Sequence, residues 1–309
     1  ADKEYPVNNN VNVVCLSNLN EAEYRKKMCT AYLVKLARML RKELIRQEPD
    51  YILPFLWTTC VRTDLALMGS SLKKHVIQTV RNNPAVFPEN AMMKKYRNNL
   101  VRKSRLTIVQ NNQQKQYFPE TQWDKTKVLP NPVSSTLSQI ERCEDKSQFK
   151  IVGVGRLENQ KNFDLLIDAV ADVSKKYGNV KLDIYGEGSM KDHLQEHIDC
   201  MKLGQKITLK GRSSDYSEIY GSASAFVLSS DFEGMPNTLL EAMAVGLPCI
   251  STDCPTGPSD IIESGKNGIL VPMGDRNRLS QEIENLIQQN EMREDLAKAA
   301  KKTILTRYT

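Results

Sequence analysis

Short apolar runs alternate with longer stretches in which apolar residues recur every three or four positions. Such runs predict buried strands, and the three-to-four-residue spacing predicts amphipathic helices. After residue 147 the alternation is regular, which is typical of an α/β domain with a parallel sheet. The predicted strands are 149–155, 181–185, 207–210, 225–229, 248–252 and 269–272, and the predicted helices are 162–176, 190–200, 216–221, 236–245 and 275–289. A doubly wound sheet of this kind binds its ligand at the carboxyl ends of the strands.

The first part of the chain has a weaker rhythm. It predicts strands at 11–16, 51–56, 74–79 and 106–110, and a long helix at 21–47. The segment Leu129-Pro-Asn-Pro-Val133 and the polar stretch 134–150 after it indicate a boundary. We therefore predict two domains, residues 1–146 and 147–309.

The charge of the 309-residue chain is unevenly distributed. The net charge is +6, but residues 20–130 alone hold 21 lysine and arginine residues against 9 acidic ones. A basic half attracts phosphorylated substrates or an anionic membrane surface. We expect no nucleic-acid partner, because no recognition motif accompanies the charge.

Membrane and export signals are weak in this sequence. The most apolar run, residues 239–250, contains Glu241 and is shorter than a membrane span requires. The opening residues do not resemble a signal peptide. We expect a cytoplasmic protein, with peripheral attachment at the inner face of the membrane as an alternative.

The seven cysteines are scattered and never form a C-x-x-C pair, which favours reduced thiols over a disulfide framework or a zinc site. His193 and His197 lie one helical turn apart, a spacing that suits a metal. No third ligand is evident near them, so a helix surface is the favoured interpretation and no metal is expected.

Candidate chemistry follows the ends of several predicted strands. Gly155 is followed by Arg156 and Lys161 before a helix begins, and two cations beside a helix N-terminus favour an anion. Ordinary surface cations would give the same pattern. Tyr185-Gly-Glu-Gly-Ser189 and the Gly211-Arg212 pair also follow strands, where glycine allows close approach to a ligand or simply makes a turn.

The segment 229–243 carries the strongest signal. Glu233 lies in a loop and Glu241 eight positions later in the following helix, while Gly234 and Pro236 leave N–H groups exposed at the helix start. Carboxylates accept from hydroxyls and amides donate to oxygens, so this segment suits a polyol that bears phosphate. Glu241 in an apolar helix is costly to bury unless it is hydrogen-bonded.

Taken together, these motifs resemble the donor domain of the family 4 retaining glycosyltransferases of GT-B fold. The resemblance covers residues 151–275 and rests on G-R-L-x-x-Q-K-N at 155–162, G-E-G at 186–188, the glutamate pair, Cys254-Pro-Thr-Gly-Pro258, and the glycine-rich segment 265–272. It implies two Rossmann-like domains facing across a cleft. The Cys254–Pro258 variant resembles enzymes of surface-polysaccharide assembly.

The resemblance also implies the roles of individual residues. Arg156 and Lys161 would clamp the diphosphate of a UDP-sugar, Glu233 would contact the transferred sugar, and Glu241 the ribose; we take Arg156, Lys161 and Glu233 as catalytic candidates. It implies no divalent metal or other cofactor, and an acceptor that is a glycan or is linked to a polyprenyl diphosphate. The implied donor-binding residues are Gly155, Gly186, Gly188, Gly211, Arg212, Gly234, Met235, Pro236, Asn237, Thr238, Leu240 and Glu241.

The chain departs from the family pattern at three places. No strand with a glycine-rich loop precedes Val11, so the N-terminal domain is expected to be incomplete, and the C-terminal helix is expected to be cut short at Thr309. Where the family has a histidine near the reacting carbon, this chain has Arg81 and Asn82, which we take as acceptor-side candidates.

Two other functions stay open at this point. One is a protein that binds nucleotide sugars without transferring the sugar. The other is a nicotinamide-dependent Rossmann enzyme, although Lys191 occupies the third glycine position of that fingerprint.

Overall fold

The computed structural model describes residues 10–16 and 30–309. The chain forms two compact units that do not follow the sequence order strictly. Of the described residues, the first unit comprises 10–16, 30–81, 87–108 and 118–127, and the second comprises 82–86, 109–117 and 128–309. Two short segments upstream of residue 128 therefore belong to the second unit. The predicted domain boundary after residue 146 stays a prediction.

The first unit combines helices with a small sheet. The helix Ala91–Lys103 has a well-defined start, because the Asn90 side chain accepts hydrogen bonds from the N–H groups of Met92 and Met93. The helices and strands of the first unit are α1 Thr30–Gln47, α2 Trp57–Ala66, β1 Gln78–Val80, α3 Ala91–Lys103, β2 Thr107–Val109 and β3 Thr126–Val128. The three strands form one sheet in the order β1-β2-β3.

Several predictions for this part of the chain need correction. Residues 11–16 form no strand, and Val11, Val13 and Val14 are exposed. The segment 51–56 forms no strand beyond an isolated bridge between Ile52 and Val76. Most of this apolar run is exposed, at Tyr51, Leu53, Phe55 and Leu56, so the run does not mark a buried strand. The strand predicted at 74–79 is confined to β1, while the one predicted at 106–110 is confirmed as β2. The helix predicted at 21–47 is confirmed from Thr30 onward, and residues 21–29 lie outside the described part.

The second unit is built on a six-stranded sheet whose recorded pairings are all parallel. The strand order is β6-β5-β4-β7-β8-β9, so the chain winds outward from β4 first in one direction and then in the other. The short helix α4 Asn112–Gln116 lies upstream of residue 128. The elements after residue 128 are β4 Phe149–Val154, α5 Phe163–Lys176, β5 Val180–Tyr185, α6 Lys191–Cys200, β6 Ile207–Gly211, α7 Tyr216–Tyr220, β7 Ala225–Leu228, α8 Asn237–Val245, β8 Cys249–Thr252, α9 Pro258–Ile261, β9 Ile269–Val271, α10 Arg276–Gln288 and α11 Asn290–Arg307.

Alternate residues of the central strands enter two separate cores. In β4, Ile151 packs with one buried cluster and Val152 with the other, and in β7 the same holds for Val227 and Phe226. Because successive side chains of a strand point to opposite faces, helices cover both faces of this sheet. This is the doubly wound arrangement that the sequence predicts.

The strand and helix predictions between residues 149 and 289 are confirmed, with ends that differ by one residue or so. The spacing of apolar residues did not predict helix α11; only the family resemblance implied a C-terminal helix in this part of the chain. No helix in the described ranges is long and apolar enough to span a bilayer, and the six cysteines in those ranges carry free thiols.

Candidate functional site

The candidate site begins where the direction of winding reverses. Strands β4 and β7 are neighbours in the sheet, but their connections run to opposite sides. A reversal of this kind separates the loops that leave the two strands and opens a crevice at their carboxyl ends. The loop after β4 carries Arg156 and Lys161, and the loop after β7 carries Glu233. The topology therefore brings together residues that are 72 positions apart, as the contact between Lys161 and Glu233 shows.

Lys161 and Glu233 form a buried ion pair. Lys161 Nζ lies 2.6 Å from Glu233 Oε1, and the two side chains are only 12% and 7% exposed. The hydroxyl of Ser230 donates to the same carboxylate oxygen at 2.7 Å, and that of Ser229 donates to the carbonyl of Lys161 at 2.8 Å. Removing charges from water is costly, so each partner depends on the other. The ion pair therefore fixes the positions of the Lys161 ammonium and the Glu233 carboxylate at the crevice.

Arg156 lies in the same loop after β4 as Lys161, and its side chain is exposed. Its Nη2 donates to Gln160 Oε1 at 3.2 Å, and Gln160 Nε2 donates to the carbonyl of Phe232 at 2.7 Å. Gln160 thus joins the loop after β4 to the loop after β7. An exposed guanidinium on this link is positioned to meet a ligand anion with a planar pair of donors.

Two of the candidate glycines, Gly186 and Gly188, allow the backbone segments after β4 and β5 to approach one another closely. Gly186 has φ +150°, and a Cβ there would lie 1.8 Å from the carbonyl oxygen of Gly155. A Cβ on Gly188 would lie 2.2 Å from the carbonyl oxygen of Leu157. The N–H of Gly186 donates to the carbonyl of Gly211 at 2.8 Å. The backbone requires glycine at 186 and 188, so the local packing alone accounts for both residues.

Glu241 lies in α8, and its carboxylate accepts from the Tyr220 hydroxyl at 2.9 Å. Tyr220 is fully buried, at 0% exposure, and stacks against Tyr216 with an interplanar angle of 9°. Burial raises the pKa of Glu241, although the Tyr220 hydrogen bond opposes that shift. The hydrogen bond expected for this glutamate is therefore present. Tyr220 was not among the predicted site residues, since nothing in its local sequence links it to Glu241.

The start of α8 presents the remaining donor-side candidates. Met235 and Pro236 are buried, and Asn237 is exposed. The Oγ1 atom of Thr238 is buried and has no hydrogen-bond partner among the described residues. The first N–H groups of a helix lack internal partners, so this end suits an anion. Leu240 is fully buried in the core, so its side chain serves packing. Arg212 follows Gly211 and is exposed.

Amide side chains from the two upstream segments hold the loops of this site. Asn111 Nδ2 donates to the carbonyl of Gly234 at 2.7 Å, and Gln114 Nε2 donates to the same oxygen at 3.3 Å. Asn83 Nδ2 donates to the carbonyl of Pro255 at 3.2 Å, and Gln113 Oε1 accepts from the N–H of Thr256 at 2.9 Å. We name these four side chains the amide clamp. These four residues were not predicted, although the polar run 110–114 directly after β2 was a usable signal for three of them.

The two acceptor-side candidates fall in different compact units. The Arg81 guanidinium lies 5.2 Å from the centre of the Phe55 ring, and burial lowers its pKa. The backbone carbonyl of Asn82 accepts from Gln114 Nε2 at 3.4 Å. Their proposed role at the acceptor stays a prediction.

His193 and His197 on α6 both contact the carboxylate of Asp164. His193 Nε2 and His197 Nδ1 lie 3.0 and 2.7 Å from the same Asp164 oxygen, and His197 Nε2 lies 3.1 Å from Asp168. Within the described ranges, no group of three or more histidine, cysteine, aspartate or glutamate residues could hold a metal ion.

Residues 138–303, more than half of the chain, match the family described as "Glycosyl transferases group 1". An uncharacterised glycosyltransferase of Methanocaldococcus jannaschii is 34% identical over 197 residues, which cover 56% of this chain and 48% of the relative. The amylovoran biosynthesis glycosyltransferase AmsD of Erwinia amylovora is 32% identical over 173 residues, with the same two coverages of 56% and 48%. The chain spans about half the length of these curated relatives.

Solved structures resemble this chain over most of its length. Staphylococcus aureus TarM in complex with UDP has a TM-score of 0.75 at 24% identity, and the superposition covers 89% of this chain and 56% of TarM. Anabaena HepE in complex with UDP-glucose has a TM-score of 0.79 at 18% identity and covers 91% of this chain and 80% of HepE. Both are GT-B proteins, so the predicted α/β GT-B fold class is confirmed.

Proposed function

This chain belongs to the group 1 glycosyltransferases, and on that premise we propose that it transfers a sugar from a UDP-sugar to a glycan or lipid-linked acceptor in polysaccharide biosynthesis. We further propose that the transfer retains the anomeric configuration and needs no metal ion. The observation that carries the proposal is the juxtaposition of Arg156, Lys161 and Glu233 at the reversal point of the sheet.

In this proposal the two cations neutralise the diphosphate. Arg156 offers a planar fork, and Lys161 supplies a point charge that Glu233 holds in place at 2.6 Å. Negative charge grows on the diphosphate as the bond to the sugar breaks, so fixed cations stabilise the transition state more than the ground state. These side chains would do the work that a divalent ion does in other transferases.

The remaining donor contacts divide between α8 and its loop. The mostly buried Glu241 accepts from ribose hydroxyls, with its second oxygen held by Tyr220. The N–H groups at the start of α8 meet the phosphate oxygens. Glu233 accepts from the hydroxyls of the transferred sugar while it keeps its bond to Lys161. The names of relatives support this choice of chemistry, since AmsD acts in amylovoran biosynthesis and HepE was solved with UDP-glucose.

Melting temperatures with UDP, GDP and ADP in the presence of EDTA test the donor part of the proposal. We expect UDP to stabilise the protein most, by about 2.7 kcal/mol at a concentration one hundred times its dissociation constant. A shift that requires Mg²⁺ or Mn²⁺ would contradict the metal-free mechanism.

Two glutamate variants separate binding from transfer. Glu241→Ala should weaken UDP and UDP-sugar binding alike, by about 1.5 to 3 kcal/mol for a hydrogen bond to a charged group. Glu233→Gln, which keeps an acceptor for Lys161 and Ser230, should lower turnover while changing UDP affinity much less than Glu241→Ala does. Calorimetric titrations and a transfer assay measure the two effects, and the exposed Glu291→Ala serves as control. UDP-sugar binding without transfer to any glycan or lipid-linked acceptor would favour a binding protein instead.

A further inference from the structure

A large cavity in the first unit shares no lining residue with the donor-side residues. It has a volume of about 770 Å³, within the range of small-molecule sites, and every lining residue belongs to the first unit. Its walls include residues that immediately precede β1 and others that immediately precede β2, such as Val76 and Ser104. The cavity therefore lies where these two strands begin. The acceptor-side candidate Arg81 follows the other end of β1.

The charge of this cavity is strongly positive. Four cationic side chains line it, together with His75, against one carboxylate, that of Asp64; the four are Lys73, Lys74, Lys103 and Arg105. Asp64 is already neutralised, because Lys73 Nζ lies 2.6 Å from its Oδ1 and the Tyr96 hydroxyl donates to its Oδ2. Three cations are left to face the cavity without a carboxylate of their own among the lining residues.

Two of these cations are shared with an adjoining cavity of about 590 Å³. Lys74 and Arg105 line both, and the second cavity adds the ring of Tyr51 and one carboxylate, that of Asp50. Uncharged residues also line the first cavity, among them the apolar Leu100 and the buried amide of Gln78. A ligand that suits both features has an anionic group at the shared cations and an uncharged body along the wall.

We propose that this cavity binds the phosphoryl group of a phosphate-bearing organic molecule. Phosphate oxygens match the Arg105 fork and the two lysine point charges, Lys74 and Lys103. The apolar wall accepts the organic part. This site shares no residue with the donor crevice and does not depend on the proposed transfer. The phosphoryl group can belong to a free phosphorylated compound or to a phospholipid headgroup.

The test compares two triple variants of the full chain that remove the same number of charges. The cavity variant carries Lys74→Gln, Lys103→Gln and Arg105→Gln. The control variant carries Lys35→Gln, Arg38→Gln and Lys42→Gln, three exposed positions on α1 that line neither cavity. Equal loss of charge keeps the long-range field comparable, so a difference between the variants reports on the cavity.

Hydrogen–deuterium exchange with inorganic diphosphate locates the binding. We expect protection of residues 73–78 and 104–107 in the parent and the control variant, and an affinity at least about tenfold weaker in the cavity variant. Diphosphate also suits the donor crevice. Protection of the segment around Arg156 is therefore measured separately from protection of residues 73–78 and 104–107, and it tests the proposed function. If melting temperature shows that the triple variant is unfolded, Arg105→Gln alone is compared with Arg105→Lys.

Sedimentation with vesicles identifies the source of the phosphoryl group. Binding to phosphatidylglycerol vesicles but not to phosphatidylcholine vesicles, lost in the cavity variant and kept in the control, assigns a lipid headgroup. Protection by diphosphate without vesicle binding assigns a free phosphorylated compound. The proposal is overturned if the two triple variants behave alike toward both probes, or if neither probe protects residues 73–78.

Discussion

Lys161 and Glu233 lose most of their contact with water in the folded chain, at 12% and 7% side-chain exposure. Lys161→Met would leave the carboxylate with Ser230 as its recorded side-chain donor. We expect the free energy of unfolding to fall by about 3 kcal/mol, because a buried charge without its counterion is strongly destabilising. Urea unfolding followed by far-ultraviolet circular dichroism measures the change.

The matched control is Lys176→Met. Lys176 lies 2.8 Å from Glu284, but its side chain is 66% exposed. Water replaces an exposed partner easily, so a much smaller loss is expected. Equal losses in the two variants would show that burial of the Lys161–Glu233 pair has no energetic consequence.

The raised pKa of Glu241 makes its contribution to stability dependent on pH. Burial raises the folded pKa above the unfolded value of about 4.3. The folded state therefore binds the proton more tightly, and this stabilisation is complete below about pH 4. It is lost as pH rises through the folded pKa. Glu241→Gln lacks this titration, so its stability relative to the parent should increase from pH 4 to pH 7.

Urea unfolding of the parent and Glu241→Gln at both pH values tests this expectation. The comparison at each pH cancels carboxylates that both proteins share, such as Asp172, whose pKa is lowered to about 2 by the Arg276 hydrogen bond. A difference between the two proteins that stays constant with pH would mean that Glu241 does not titrate in this range.

Gly186 and Gly178 make a second matched pair of positions. Gly186→Ala places a Cβ 1.8 Å from a backbone oxygen at φ +150°, so the strand ends must separate, and we expect loss of the folded second unit. Gly178→Ala meets nothing within 4 Å and should be neutral or stabilising by up to about 1 kcal/mol. Melting temperature distinguishes them. A Gly186→Ala protein as stable as its parent would contradict the close approach of β4 and β5.

At the scale of elements, the amphipathic rhythm of the second unit was sufficient to place its strands. Helix α5 could be predicted because Leu166, Ala169 and Val170 repeat on one face and are all buried. Helix α11 was missed because its apolar residues are sparse: Leu296, Ala300 and Ile304 face the core across an otherwise polar sequence. In the first unit, residues 51–56 form an apolar run like that of a buried strand, although Tyr51, Leu53 and Phe55 are exposed. Burial by distant elements decides such cases, and it is invisible locally.

Helix α11 is stabilised by a few side chains that pack against the core around α8. Ile304 is fully buried in that cluster, whereas the neighbouring Leu305 is 42% exposed. Ile304→Ala should lower the free energy of unfolding by about 2 to 5 kcal/mol, since it removes buried methyl groups and leaves a cavity. Leu305→Ala should change it by about 0.5 kcal/mol or less. Chemical denaturation of both variants provides the measurement, and similar losses would argue against the packing of α11 described above.

At the scale of the whole molecule, the compact units do not coincide with the halves of the sequence. The sequence predicted the residues after β4 and β7 as one site, because strand ends of a doubly wound sheet meet there. It could not predict the amide clamp, in which Asn111 reaches the Gly234 carbonyl across 123 positions. Amide side chains fit many hydrogen bonds, so their type alone does not identify a partner.

The clamp can be tested in the full chain. Asn111→Ala with Gln114→Ala removes both donors to the Gly234 carbonyl, and Asn111 also caps the helix at 112–116 through the N–H of Gln114. We expect a loss of about 2 kcal/mol and faster hydrogen exchange in residues 233–240. The exposed pair Asn112→Ala and Gln116→Ala is the control. Unchanged exchange in 233–240 would show that the loop does not need these donors.

The second unit is built from three separate sequence segments, and this limits how the protein can recombine with its relatives during evolution. A recombination event that transferred residues 138–303 as one block would leave behind positions 83, 111, 113 and 114. The incoming loops at 234 and 255–256 would then face side chains selected for a different partner. Functional chimaeras between family members therefore require three coordinated grafts, and lineages should inherit the upstream amides together with the downstream loops that they hold.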